Sequence, residues 1–149
     1  MSAAALYPQV VLDHYRNPRN RGRVDGCTHA ADGVNALCGD TLHVELDCTG
    51  DRRIAAIRFS GEACAITTAT ASMLSELVGG MDEAEVALVA QRFEQLIGGA
   101  GEDRALGDLN AMAELQRHPA RRKCAQLPWA TLRAALAGQS HTTTEQDSA

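Results

Sequence analysis

Five cysteines, Cys27, Cys38, Cys48, Cys64 and Cys124, together with Asp40, are the residues through which this sequence could do chemistry. In Leu37-Cys38-Gly39-Asp40 a cysteine and an aspartate two positions apart project to the same side of an extended backbone, so one segment offers two ligands to one ion. In Gly61-Glu62-Ala63-Cys64-Ala65-Ile66 the cysteine falls where a strand gives way to a helix, and unpaired amide N–H groups and the helix dipole there favour its thiolate. The stretch Arg121-Arg122-Lys123-Cys124-Ala125-Gln126-Leu127-Pro128 repeats that arrangement near the last helix, with added positive charge. Thiolates completed by one carboxylate suit Zn²⁺ or a small iron–sulfur cluster, because soft or borderline metals take sulfur and a hard oxygen makes an exchangeable fourth ligand. Mg²⁺ and Ca²⁺ are poorly served by such donors. No compact Cys-x-x-Cys pair is present, so spacing alone leaves three unrelated core cysteines as the alternative. Cys27 and Cys48 carry no motif, and Cys48 falls on the apolar phase of its strand, where a free cysteine packs as a small hydrophobe.

The elements that must position these residues follow from periodicity. Residues 4–16 place Leu6, Val10, Val11 and His14 or Tyr15 at helical spacings before the breakers Asn17 and Pro18. Apolar and polar residues alternate over 41–48, and a second such run covers 53–60 after Thr49-Gly50-Asp51-Arg52, which predicts a hairpin. Leu42, Val44 and Leu46 then share a buried face with Ile57 and Phe59, while His43, Glu45 and Asp47 face water. A lone hairpin is marginal, so a further strand is expected around residues 27–32. From Cys64 the period changes: Ile66, Ala69, Met73, Leu74, Leu77 and Val78 trace one helix, which Gly79-Gly80 can end. Asp82 with Glu85 announces the next by a capping box, and Val86, Val89, Phe93, Leu96 and Ile97 form its buried stripe. Residues 100–108 read as a polar loop and 109–116 as a short helix stopped by His118-Pro119. Pro128 suits the first turn of a last helix carrying Leu132, Ala135 and Leu136. The fold class is therefore α+β: a small antiparallel three-stranded sheet against about five helices, in one domain over 1–138, with a polar tail over 139–149 whose composition predicts disorder.

Composition excludes several functions. The 149 residues carry 14 basic against 19 acidic side chains, a net −5 that disfavours adhesion to phosphate backbones, so no nucleic acid is expected as partner. Apolar stretches are broken well short of a bilayer span, and the opening residues lack the basic segment of a signal peptide; a cytoplasmic protein without membrane contact is expected. An odd number of cysteines without an export signal points to thiol or metal chemistry ahead of a disulfide framework. Only 3% of residues are aromatic, so the core depends on Leu, Val and Ile.

Cys38-Gly39-Asp40, Gly61-Glu62-Ala63-Cys64-Ala65-Ile66 and Lys123-Cys124, in that order, resemble the signature of the IscU/NifU/SufU iron–sulfur cluster assembly family. Leu6-Tyr7 and Asp13-His14-Tyr15-Arg16-Asn17-Pro18-Arg19-Asn20 resemble the opening of the SufU branch, so the likeness runs from residue 6 to about residue 137. Two departures from the IscU pattern, Lys123 where that branch has His and a longer segment between the second and third cysteines, both point to SufU. The resemblance implies the SufE/NifU-like fold and zinc held by Cys38, Asp40, Cys64 and Cys124. It implies a sulfurtransferase-type role in which Cys38 takes persulfide sulfur from a pyridoxal-phosphate-dependent cysteine desulfurase of the SufS type and passes it to a downstream cluster scaffold or apo-protein. In that scheme a desulfurase histidine replaces Cys38 on zinc and so frees the thiolate, and Arg121 favours thiolates or assists docking. A scaffold on which a transient [2Fe–2S] cluster is built is the alternative, and a purely structural zinc module a remoter one.

From a different class, Cys38 activated by His43 and Asp40 could make a cysteine hydrolase. Strand parity argues against it, since His43 should point away from Cys38. His14 is read as a packing residue, the four-ligand set being complete without it, and His29, His43, His118 and His141 as surface residues.

Overall fold

The computed structural model describes residues 8–144. Its first helix, α1, spans Gln9–Arg16 and buries Val11 and His14 while Tyr15 stays exposed. Leu6, read as part of the same stripe, lies outside the described residues. Three strands follow, β1 (His29–Asn35), β2 (Asp40–Cys48) and β3 (Ile54–Ser60), each antiparallel to the next. The predicted face is present: Val44 lies opposite Phe59 and Leu46 opposite Ile57, and all four are buried. The hairpin turn after β2 closes on bonds from Thr49 N to Arg53 O and from Arg52 N to Thr49 O, with Arg52 in the left-handed region.

Glu45 departs from the expectation that it faces water. Only 4% of it is exposed, because the segment before β1 folds over the outer face of the sheet and brings Arg23 and the amide of Val24 onto its carboxylate. His43 completes that cluster, bonded at 2.8 Å to both Asp32 and Glu45.

Helix α2 (Ala65–Leu77) is buried around most of its circumference, from Ile66 to Ser75, as the central helix of the core. Helix α3 (Glu83–Gln95) opens with the predicted capping box: Asp82 accepts from the Glu85 amide, and the Glu85 carboxylate accepts from the Asp82 amide. A π-turn at Leu96–Ala100 and a 3₁₀ run over Arg104–Arg117, broken at Gly107, replace the expected loop and short helix. The last helix, α4 (Pro119–Leu136), starts nine residues earlier than read from sequence, with Pro119 in its first turn and Pro128 in its interior. It packs against β1 and β2 and against α2.

Among the described residues the sheet has four strands where three are expected. His141–Thr143 form β4, which runs parallel to β1 and gives the order β3-β2-β1-β4. The stretch read as a disordered tail over 139–149 is thus partly a strand, and residues 145–149 lie outside the described residues. Its bonds are main-chain ones, Asp32 N to Ser140 O and Thr144 N to Val34 O, which require no apolar pattern.

Candidate metal centre

Two glycines set the site. Residues 36–39 link β1 to β2, tied by bonds from Cys38 N to Asn35 O and from Gly39 N to Ala36 O; Gly39 at φ 72° turns the chain back so that Asp40 opens β2 opposite Asn35. After β3, Gly61 at φ 123° lies so close to β2 that a Cβ there would sit 2.4 Å from the carbonyl oxygen of Thr41. That approach lets Thr41 N donate to Glu62 O and delivers Cys64 to the end of β2 as the N-cap residue of α2. Cys124 comes from the opposite side on α4.

The sulfur of Cys38 lies 3.0 Å from that of Cys124, and ligand atoms of Cys38, Asp40 and Cys124 all fall within 4.8 Å of one another, a group that could hold a metal ion. Cys64 stands outside that mutual set, yet its sulfur is 3.5 Å from Asp40 Oδ2 and its amide donates to Asp40 Oδ1 at 2.8 Å. The four residues differ in access: Cys38 is exposed and Cys64 half-buried, while Asp40 and Cys124 are 2% and 0% exposed. A buried carboxylate is costly unless its oxygens are bonded. Here both are, Oδ1 by the Cys64 amide and Oδ2 by the Thr67 hydroxyl at 2.7 Å.

The thiols share protons unequally. A hydrogen bond from Cys124 lowers the pKa of Cys64 to about 6 against the opposing effect of burial, with further help from the Thr67 hydroxyl and amide. Donation to Cys64, burial and donation to Cys38 all hold Cys124 well above the usual thiol range. Cys64 as a thiolate beside a neutral Cys124 is the arrangement these contacts favour in the metal-free protein. The helix-start account of Cys124 does not hold, since Cys124 is the sixth residue of α4. For Cys64 it does, the residue standing at the N-cap of α2.

Two residues at the site carried no signal in the sequence. Thr67 donates to Asp40 and also lies 3.0 Å from the carbonyl oxygen of Cys124 and 3.4 Å from the Cys64 sulfur. Asn35, fully buried, directs its amide nitrogen to the Cys124 sulfur at 3.8 Å. A threonine inside a helical pattern and an asparagine at a strand end are ordinary by type, and only their contacts reveal them.

The remaining candidates lie elsewhere. Cys48 is half-buried against the core, and desolvation raises its pKa; Cys27 is half-buried without a place in the cluster. His14 packs in the interior, bonded to Ser72 Oγ at 2.7 Å and Asp108 at 3.3 Å. His43 turns to Asp32 and Glu45, away from Cys38, which removes the hydrolase arrangement. Arg122 ties its guanidinium to the carbonyls of Leu115 and Gln116, while Arg121 is exposed on α4.

Such a fold gathers ligand-type side chains at one end of a small sheet, the arrangement of a metal-binding α+β domain. The NifU-like N-terminal domain model matches residues 6–145. Among curated proteins, the zinc-dependent sulfurtransferase SufU of Bacillus subtilis (strain 168) is 35% identical over 134 residues, covering 89% of this chain and 90% of the relative. The iron–sulfur cluster assembly scaffold protein IscU of Streptococcus pyogenes serotype M1 is 32% identical, covering 88% and 82%. The crystal structure of a nitrogen-fixing NifU-like protein (N-terminal) from Brucella abortus superimposes with a TM-score of 0.82 over 91% of this chain and 95% of that one, at 18% identity, a likeness of fold. The chain belongs to the NifU-like N-terminal domain family of iron–sulfur cluster assembly proteins, with SufU and IscU among its relatives. No helix among the described residues is long and apolar enough to cross a membrane.

Proposed function

We propose that this protein is a zinc-dependent sulfur acceptor, in which Cys38, Asp40, Cys64 and Cys124 hold Zn²⁺ and Cys38 takes sulfur from the persulfide of a cysteine desulfurase. The observation that carries the reading is the contrast in access: Cys38 is exposed at the tip of a short loop, whereas Asp40 and Cys124 are buried. Cys38 can thus leave the cluster and return without unpacking the core.

The donor set fits zinc. Zn–S bonds near 2.3 Å and Zn–O bonds near 2.0 Å give tetrahedral edges of about 3.5 Å between sulfur and oxygen and about 3.8 Å between sulfurs. Cys64 and Asp40 are 3.5 Å apart, and the 3.0 Å pair of Cys38 and Cys124 would open by less than about 1 Å. Cys64, which lies beyond 4.8 Å from at least one of the other donors, would have to draw inward with the Cys38 loop to complete the set. When bound, zinc supplies charge that keeps its thiolates deprotonated at neutral pH while restraining their nucleophilicity.

In the transfer, the released Cys38 thiolate attacks the outer sulfur of the desulfurase persulfide. A new S–S bond forms at Cys38, the S–S bond on the donor breaks, and the donor cysteine leaves as a thiolate, so no oxidant or reductant is consumed. Asp40, anchored by the Cys64 amide and the Thr67 hydroxyl, keeps its place meanwhile. The kinship with a protein named as a zinc-dependent sulfurtransferase supports this reading, and kinship with proteins named as scaffolds supports a second, assembly of a [2Fe–2S] cluster on the same residues.

Anaerobic purification followed by metal analysis and visible spectroscopy separates the two. Stoichiometric zinc, no visible absorption and one added sulfur atom on Cys38 after incubation with desulfurase and cysteine support the acceptor. An absorbing cluster transferable to an apo-ferredoxin supports the scaffold and overturns it.

A further inference from the structure

The Thr67 hydroxyl stands where three elements of the site meet, and its part in metal binding itself goes beyond anchoring Asp40 during transfer. Thr67 is the third residue of α2 and is fully buried. A threonine inside a helix commonly bonds back to a carbonyl of its own preceding turn. Here the hydroxyl instead reaches outward, to Asp40 on β2 at 2.7 Å and to the Cys124 carbonyl on α4 at 3.0 Å. One proton cannot serve both acceptors fully, and the shorter, charge-assisted bond to the carboxylate is the stronger.

The geometry points to Thr67 as the positioning residue of the metal site, holding Asp40 Oδ2 so that its remaining lone pair faces the ion beside the Cys64 sulfur. This inference rests on the zinc reading above. Oδ2, the oxygen bonded by Thr67, is also the one 3.5 Å from Cys64 Sγ. The other oxygen is occupied by the Cys64 amide, so the carboxylate plane is fixed at both ends. The cost of orienting a ligand is then met during folding instead of at metal binding, and hydrogen-bond partners of ligating carboxylates are typically worth about 10- to 100-fold in metal affinity.

The test compares wild type with Thr67→Val and Thr67→Ser by zinc competition against a chromophoric chelator, and by the visible ligand-field spectrum after cobalt substitution. Thr67→Val is expected to bind zinc about 10- to 100-fold more weakly and to shift the cobalt bands. Thr67→Ser, which keeps the hydroxyl, should lie within about threefold of wild type, a rescue that a purely steric role for the side chain would not give. Adding Thr67→Val to Asp40→Ala should cost nothing further, because the carboxylate through which Thr67 acts is already gone. If Thr67→Val does not fold, Thr67→Ala replaces it, with the same expectation. A valine or alanine variant that folds, holds zinc within threefold of wild type and keeps the cobalt spectrum overturns the inference while leaving the zinc reading intact. Wild-type protein that takes up no zinc overturns both.

Discussion

Pro128 stands four residues beyond Cys124 within α4, so it has no N–H to return to the Cys124 carbonyl, and the Thr67 hydroxyl approaches that oxygen at 3.0 Å in its place. A proline that interrupts one helical bond thereby couples two helices beside the site. Pro128→Ala restores the missing N–H, and the metal-free protein should gain roughly 1 kcal/mol, read from urea unfolding. An equal loss would mean that the helix depends on the proline's shape.

Cys38→Ala should separate stability from function. The side chain is exposed on its loop, so unfolding free energy without metal should change by less than about 0.5 kcal/mol. Persulfide formation and stimulation of a desulfurase should both disappear. Retained stimulation would remove Cys38 as the acceptor.

Gly61→Ala should do the reverse. The added methyl carbon would lie 2.4 Å from the Thr41 carbonyl oxygen at a backbone angle that L-residues rarely adopt. Destabilisation above about 2 kcal/mol is expected, with zinc binding weakened because Cys64 is displaced from Asp40. Urea denaturation and chelator competition measure the two effects.

Zinc should raise the unfolding midpoint of the metal-free protein in proportion to the logarithm of its free concentration. At 100 times the dissociation constant the gain is about 2.7 kcal/mol, measurable by thermal unfolding. A midpoint independent of zinc would contradict binding to the folded state.

The cluster around buried Glu45 on the outer face of the sheet predicts a pH dependence apart from the metal. Burial opposes the charged form of His43, but bonds to Glu45 and Asp32 outweigh it and raise its pKa above the ordinary 6.5. The amide of Val24, then His43, hold Glu45 below its ordinary 4.5. The His43 contribution is therefore complete below about pH 6.5 and is lost as pH rises through the elevated folded value. The Glu45 contribution is present above about pH 4.5 and is lost as pH falls through the depressed folded value. Because the depressed Cys64 thiol works in the opposite direction over the same range, the test is a difference: the stability margin of metal-free wild type over His43→Gln should shrink as pH rises above about 6.5, and a margin in urea midpoint that stays constant would refute the assignment.

Much of this was legible in the sequence because it rests on local patterns. Alternation placed Val44 against Phe59, and the pairing of Asp82 with Glu85 marked the start of α3. Cys38 and Asp40 do lie in one group that could hold a metal, but a turn at Gly39 separates them where the two-residue step predicts extended backbone. What escaped depends on contacts distant in sequence. Strand β4 is polar and held by main-chain bonds to β1, and Glu45 is covered by a segment about 20 residues earlier, so neither leaves a mark in its own neighbourhood. Pro128 reads as a helix start because its type favours first turns; in the interior position the Cys124 carbonyl it leaves without a helical partner is approached by the Thr67 hydroxyl.

The placement of β4 limits how far the Cys38 sulfur can travel. With β2 on one flank and β4 on the other, β1 is an interior strand, and the loop that leaves it is moored at Asn35 and Asp40, both buried. Four residues between such moorings give Cys38 an excursion of less than about 10 Å. It is a short tether, so in the proposed transfer a donor would have to carry its sulfur most of the way, on an arm long enough to reach the rim of the sheet.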